Sequence, residues 1–204
     1  MITIIDYGLG NILAFVNVYK RLNVDVSIAR NAEELKTASK VILPGVGAFD
    51  HAMELLNKSG MRETLDELVL ANRVPILGVC VGMQILARSS DEGKLSGLGW
   101  VEGHVGALAR QNGLPLPHMG WNDVRPLSQN KLFDQLESDA RFYFLHSYHL
   151  HCDRDEDVLA TSSYGIQFSC AVNHKNIYGV QFHPEKSHHY GTRLLRNFAE
   201  LPVC

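Results

Sequence analysis

Cys80 stands in LGVCVGMQ (77–84) with glycines two positions before it and two after, Gly78 and Gly82. A thiol can attack an acyl carbon, but a free cysteine with a pKa near ~8.5 is only a few per cent thiolate at neutral pH, so it needs a base or a helix end beside it. QFHPEKS (181–187) offers the base. Pro184 biases His183 toward an extended backbone, which turns Glu185 to the same side, where its carboxylate can orient the imidazole and fix its tautomer. PGVGAF (44–49) adds Gly45 and Gly47, a loop that can present backbone N–H groups to a developing oxyanion. Together these residue types suit nucleophilic acyl transfer. Each also has a plainer reading: Cys80 as a small buried side chain, HPE as a solvated loop end with an ordinary charge pair, and the two glycines as turn residues.

For these segments to meet, the elements between them must bring distant parts of the chain to one edge. ITII (2–5), VDVSIA (24–29), KVIL (40–43) and PILGV (75–79) read as strands. Between them lie helical patterns: Asn11 as a cap followed by Ile12, Phe15, Tyr19 and Leu22 at helical spacing, a capping box from Asn31 to Glu34, and apolar periodicity around 49–58 and 61–71. Strands joined by helices of this length imply parallel pairing with right-handed crossovers. From about 104 onward, RFYFLH (141–146), VLATSSY (158–164), IQFSCAV (166–172) and NIYGVQF (176–182) follow one another closely, which predicts antiparallel additions, and a helix over 189–199 ends the pattern. The expected fold is α/β: an open, mostly parallel central sheet flanked by helices, antiparallel in its second half. In such a sheet ligands bind beyond the carboxyl ends of the strands. A sharp strand-to-helix turn at Cys80 would strain its backbone and bring strand and helix so close that only small residues fit two positions either side. The helix after Val81 would then aim its N–H groups at the sulfur.

Composition narrows the classes. With 204 residues, 46% hydrophobic, 20% charged and a net charge of −3, the chain reads as one domain over 1–204 and carries no electrostatic footprint for nucleic acid or an anionic membrane. MITIIDYG lacks the basic start of a signal peptide, and the charge-free run from Val74 to Ala87 is too short to span a bilayer. Cys80, Cys152, Cys170 and Cys204 lie far apart without CxxC pairs, a pattern that suits reduced thiols in a cytoplasm. His149 and His151 of HSYHLHC would share a strand face, but no partner ligands at zinc spacing accompany them, so no metal is expected. His188, His189 and Tyr190 read as surface.

The GxCxG elbow, the HPE segment and the PGVG loop, in this order and spacing, resemble class I (triad) glutamine amidotransferases. DYGLGN (6–11), PHMGWN (117–122), FLHSYH (144–149) and HPEKS (183–187) narrow the likeness to the glutaminase subunits of imidazole glycerol phosphate synthases, and it spans essentially the whole chain. The resemblance implies a flavodoxin-like fold and a triad of Cys80, His183 and Glu185. It implies an oxyanion hole from Val46, Gly47 and Val81, and contacts to substrate glutamine from Gly47, Gln84, Glu92, Ser147 and Tyr148. No cofactor is implied. A (βα)₈-barrel cyclase is the implied partner in a heterodimer, taking the ammonia into imidazole glycerol phosphate and aminoimidazole carboxamide ribotide on the way to histidine. Gly8, Asn11 and Trp121 are the candidates for its docking face, although Trp121 could fill the core and Asn11 could do no more than cap.

Other readings stay open. A paralogous glutaminase would keep this chemistry but feed a sugar amidotransferase of surface polysaccharide synthesis; Val79 and Val81, where the family more commonly shows isoleucine and leucine, fit such a copy. An esterase or peptidase on the same elbow is disfavoured, because in α/β-hydrolases the acid precedes the histidine. A non-catalytic scaffold is disfavoured by the intact Cys80, His183 and Glu185.

Overall fold

The computed structural model describes residues 1–110, 113–136 and 140–202; Cys204 lies outside them. The first half runs β1 (Ile2–Ile5), α1 (Ile12–Arg21), β2 (Val26–Ala29), α2 (Ala32–Leu35), β3 (Val41–Gly45), α3 (Phe49–Lys58), α4 (Arg62–Asp66), β4 (Ile76–Cys80) and α5 (Val81–Gln84). The second half runs β5 (Ser89–Ser90), β6 (Gly103–Ala107), β7 (His118–Asp123), β8 (Arg125–Pro126), β9 (Arg141–His146), β10 (Tyr148–Cys152), β11 (Val158–Tyr164), β12 (Ile166–His174), β13 (Ile177–Val180) and α6 (His188–Glu200).

β1, β3 and β4 are buried at every position, as expected of continuous apolar strands covered on both faces. The sheet order is β2-β1-β3-β4-β13-β12-β10-β6-β5, with β11 and β8 added beside β12. β2, β1, β3, β4 and β13 pair in parallel; from β13 through β12 and β10 to β6 the pairing is antiparallel. β7 and β9 form a separate antiparallel ribbon. The expected α/β architecture is therefore present, parallel from β2 to β13 and antiparallel from β13 to β6, with the short β5 added in parallel at the far edge. Fold-level expectations hold in detail at both early caps. Asn11 Oδ1 accepts from the Ala14 N–H at 3.2 Å, and Asn31 Oδ1 accepts from the Glu34 N–H at 3.0 Å. Glu34 closes the second cap by accepting from the Arg30 N–H and the Asn31 amide.

Two helices differ from expectation. The pattern over 61–71 is α4 widening into a π-helical turn at Glu67–Ala71. Asn176 staples the end of this turn to the strand that follows, donating from Nδ2 to the carbonyls of Val69 and Val74 at 2.9 Å each. The helix after the elbow is one turn long, because Ile85 to Ala87 bend away through bonds to the carbonyls of Val81, Met83 and Gln84.

Register places the chemistry. Gly45 pairs with Cys80 across β3 and β4, and Val180 pairs with Val79 across β13 and β4. The loops leaving these three central strands therefore emerge at one carboxyl edge, carrying residues 46–48, 81 and 181–187. Among the described residues no helix is long and apolar enough to cross a membrane.

Candidate active site

At the elbow, Cys80 has φ +56° and ψ −115°, a conformation L-residues rarely adopt. The glycines around it answer to space. A Cβ on Gly78 would lie 2.5 Å from the carbonyl oxygen of Gly82, one on Gly82 would lie 2.0 Å from that of Leu43, and one on Gly45 would lie 2.3 Å from the Gly82 nitrogen. Strand β3, strand β4 and the first turn after it thus touch backbone to backbone, and only hydrogen fits between them.

His183 reaches the sulfur from the next parallel strand over. Its backbone is extended, its N–H donates to the Tyr143 carbonyl at 2.8 Å, and the chain then turns through a 3₁₀ turn at Pro184–Lys186. That turn, rather than strand alternation, swings Glu185 back so that its Oε1 meets His183 Nδ1 at 2.9 Å. Ser187 locks the turn by donating to the His183 carbonyl at 2.6 Å and accepting the Tyr143 N–H at 2.9 Å. Burial lowers the affinity of His183 for its proton, but hydrogen bonds to Cys80 and Glu185 and their negative charge outweigh this and raise its pKa to about 10. The arrangement favours an imidazolium facing the sulfur, with a carboxylate behind it.

Cys80 and His183 open into a cavity of about 310 Å³. Val46, Gly47, Val81, Gln84, Glu92, Ser147 and Tyr148 line it, so each residue expected to hold an oxyanion or a ligand comes to the same space. Val46 and Gly47 are exposed at its rim, Gly47 with φ +89°. Glu92 also supports the local backbone. Its Oε2 accepts the Phe49 N–H at 2.8 Å, capping α3 where Ala48 offers no side-chain oxygen. The loop 44–47 rests on the DYGLGN turn. Tyr7 donates its buried hydroxyl to the Pro44 carbonyl at 2.7 Å, and burial together with nearby Cys80 holds that phenol well above its ordinary pKa.

Of the proposed docking residues, Gly8 and Asn11 are exposed, Asn11 serving as the cap of α1. Trp121 is 38% exposed on β7, so it does not fill the core; its ring stacks on His188 at 5.2 Å.

Sequence reasoning missed five residues here. Lys186, His146, Leu145 and Pro117 also line the cavity. Gln181, fully buried, accepts from Gln84 Nε2 at 3.1 Å and donates to the Cys80 sulfur at 3.9 Å. Its place two residues before His183 in a strand run was the one available signal. Away from the site, burial, then Asp157, Asp153 and Asp155, push Cys152 up to about 12, and burial pushes Cys170 up further. His149 and His151 lie on one face of β10 with rings 4.0 Å apart, and among the described residues no group of three ligating side chains surrounds them.

A strained thiol at a strand end, backed by a histidine–carboxylate pair and opening into a small polar-rimmed cavity, can form and hydrolyse an acyl thioester. A model of the glutamine amidotransferase class-I family matches residues 3–201. The imidazole glycerol phosphate synthase subunit HisH of Bdellovibrio bacteriovorus is 60% identical over 204 residues, covering 98% of this chain and all of that protein. Its counterpart from Leptospira interrogans is 53% identical with the same coverage. A crystal structure of a glutamine amidotransferase superposes with a TM-score of 0.76 over 98% of this chain and 97% of the other, at 20% identity, a likeness of fold. Matched by the family model over nearly its whole length and 60% identical to a full-length relative, this chain belongs to the class-I glutamine amidotransferase family.

Proposed function

We propose that the chain, as a single domain over 1–204, is the glutaminase subunit of an imidazole glycerol phosphate synthase in cytoplasmic histidine biosynthesis, with Cys80, His183 and Glu185 as its triad. The carrying observation is the meeting of Cys80 and His183 in one cavity, with Glu185 Oε1 held 2.9 Å from His183 Nδ1. Glutamine enters with its carboxamide over the sulfur, held by Gly47, Gln84, Glu92, Ser147 and Tyr148. The Cys80 thiolate adds to the carboxamide carbon, and the oxyanion lodges among the backbone N–H groups of Val46, Gly47 and Val81. His183, as imidazolium, gives its proton to the departing nitrogen; ammonia leaves and a γ-glutamyl thioester remains. Water then adds to the thioester carbon, losing a proton to His183. Collapse expels the Cys80 thiolate with glutamate as the second product, returning both groups to their starting states. Glu185 holds the imidazole in register throughout.

The freed ammonia serves a (βα)₈-barrel cyclase, which docks as the other half of a heterodimer over the edge bearing Gly8, Asn11 and Trp121 and joins the nitrogen to a phosphoribosyl intermediate. The subunit names of the full-length relatives support this assembly. The test supplies amide-¹⁵N glutamine to the chain with its cyclase. Label in imidazole glycerol phosphate is the expected result, abolished by Cys80→Ala while exogenous ammonia still supports the cyclase. Unchanged label in the alanine variant would remove the triad assignment. Intact glutamine hydrolysis with failure to rescue a histidine auxotroph would move the chain to the polysaccharide paralogue.

A further inference from the structure

Two buried histidines have no part in that chemistry. His118 on β7 and His146 at the end of β9 are register partners in the β7–β9 ribbon, and each exposes less than a tenth of its surface. His118 is sandwiched between Phe144 and Tyr164, with ring centroids 4.8 and 4.1 Å away. Its Nδ1 lies 3.0 Å from His146 Nε2, and His146 Nδ1 lies 2.8 Å from the Tyr148 carbonyl oxygen.

The proton positions follow from the ends of this series. Asn122 donates from Nδ2 to the Ser163 carbonyl at 2.9 Å and accepts the Asp123 N–H on Oδ1 at 2.8 Å, which fixes which way its amide points. Its Nδ2 also lies 3.2 Å from His118 Nε2, so that ring nitrogen must be the bare acceptor. A neutral His118 then carries its proton on Nδ1 and donates to His146. At the other end a carbonyl oxygen can only accept, so His146 carries its proton on Nδ1 and is bare at Nε2. The two deductions meet without conflict at the bond between the rings. Burial agrees, lowering the pKa of His118 to about 4; for His146, burial and three neighbouring histidines outweigh the bond to Tyr148 and lower it to about 3.

The last link matters to the cavity. The bond from His146 to the Tyr148 carbonyl spans Ser147 and closes the bend that presents Ser147 and Tyr148 to the cavity. The same carbonyl accepts from Gln84 Nε2 at 3.0 Å, and the other hydrogen of that amide goes to Gln181 Oε1. What Gln84 can offer a ligand is therefore its Oε1, an acceptor for an ammonium or carboxamide N–H.

We infer that His118 and His146 are positioning residues of the glutamine site: both rings, each protonated on Nδ1 alone, form a one-way hydrogen-bond chain from Asn122 to the Tyr148 carbonyl that sets the Ser147–Tyr148 bend and the orientation of the Gln84 amide. This rests on the glutaminase reading for the identity of the ligand but not for the tautomers.

Long-range ¹H–¹⁵N correlation of the uniformly labelled full chain at pH 7 should show both imidazoles with Nδ1 protonated and Nε2 bare. An Nε2–H signal, or a doubly protonated ring, at either position overturns the inference, and the spectrum of the unmutated chain decides this whether or not any variant folds. In steady state with the cyclase, His118→Phe should raise KM for glutamine about tenfold and change kcat much less. His118→Gln, which restores a donor toward His146, should recover most of the loss. A wild-type KM in His118→Phe, or equal impairment in both variants, would reduce the pair to packing. Failure of the glutaminase reading would appear separately, as absence of glutamine turnover in the wild type.

Discussion

Cys80 sits in a backbone conformation that costs an ordinary L-residue about 1–3 kcal/mol, and the contacts of Gly78, Gly82 and Gly45 hold it there. The strain has a geometric return: it turns the sulfur out of the strand toward His183 instead of leaving it in the sheet. At most positions alanine is more favourable than glycine, by about 0.5–1 kcal/mol inside regular structure. At position 80 the order should reverse. On the proposed mechanism both Cys80→Gly and Cys80→Ala should lose glutamine hydrolysis, and the glycine variant should unfold at a higher denaturant concentration than the alanine variant. If alanine proves the more stable of the two, the elbow is not strained in the way its dihedral angles imply.

At the scale of elements, the site depends on two kinds of glycine that a sequence cannot tell apart. Gly82 is required for room, since a methyl group there would strike the Leu43 carbonyl at 2.0 Å. Gly47 is required for its dihedral, φ +89°, while a methyl group there would meet no atom within 4 Å. The consequences should differ accordingly. Gly82→Ala must push β3 from the elbow, as overpacking in a rigid contact, and should cost about 2–3 kcal/mol in urea denaturation. Gly47→Ala should lose only about 1–2 kcal/mol, the cost of a left-handed alanine, yet reduce turnover at least tenfold because it shifts the peptide offered to the oxyanion. Equal losses of stability in the two variants would contradict this division.

The whole molecule carries an acid weakness in its polar interior. His118, His146 and His149 are buried with pKa values lowered to about 4, 3 and 4, against about 6.5 in an unfolded chain. Below pH ~6.5 the unfolded state therefore binds more protons, and stability falls as pH drops toward 4, by up to about 1.4 kcal/mol per pH unit for each group. His183 gives no relief in that window. Its raised value contributes stability in full below ~6.5 and loses it only as pH climbs toward 10. Urea midpoints at pH 7.5, 6 and 5 should decline steadily, and His149→Phe should flatten the decline, because both nitrogens of that ring are buried without a partner. Midpoints that stay level from 7.5 to 5 would mean these rings find solvent.

The same polar interior marks the limit of what could be read from the residues. The parallel half was legible because VIL, ILGV and ITII announce two-sided burial, and Cys80, His183 and Glu185 stood out because their segments, each open to a plainer reading alone, together resemble one family's motifs. β6, with GHVGA, lacks an apolar run, and its pairing with β10 and β5 makes it a strand. Gln181, His118 and His146 look like solvated side chains until tertiary packing surrounds them. The bond between His118 and His146 spans 28 positions and that between Gln181 and Cys80 spans 101, beyond the reach of local patterns.

The pairing of β13 with β4 has a temporal meaning as well. During synthesis the thiol of Cys80 leaves the ribosome half a chain length before the imidazole of His183. On the proposed triad, nascent or C-terminally clipped molecules would hold an unassisted cysteine, and ammonia release would begin only when the closing strand is seated, sparing the cell's glutamine from unfinished copies.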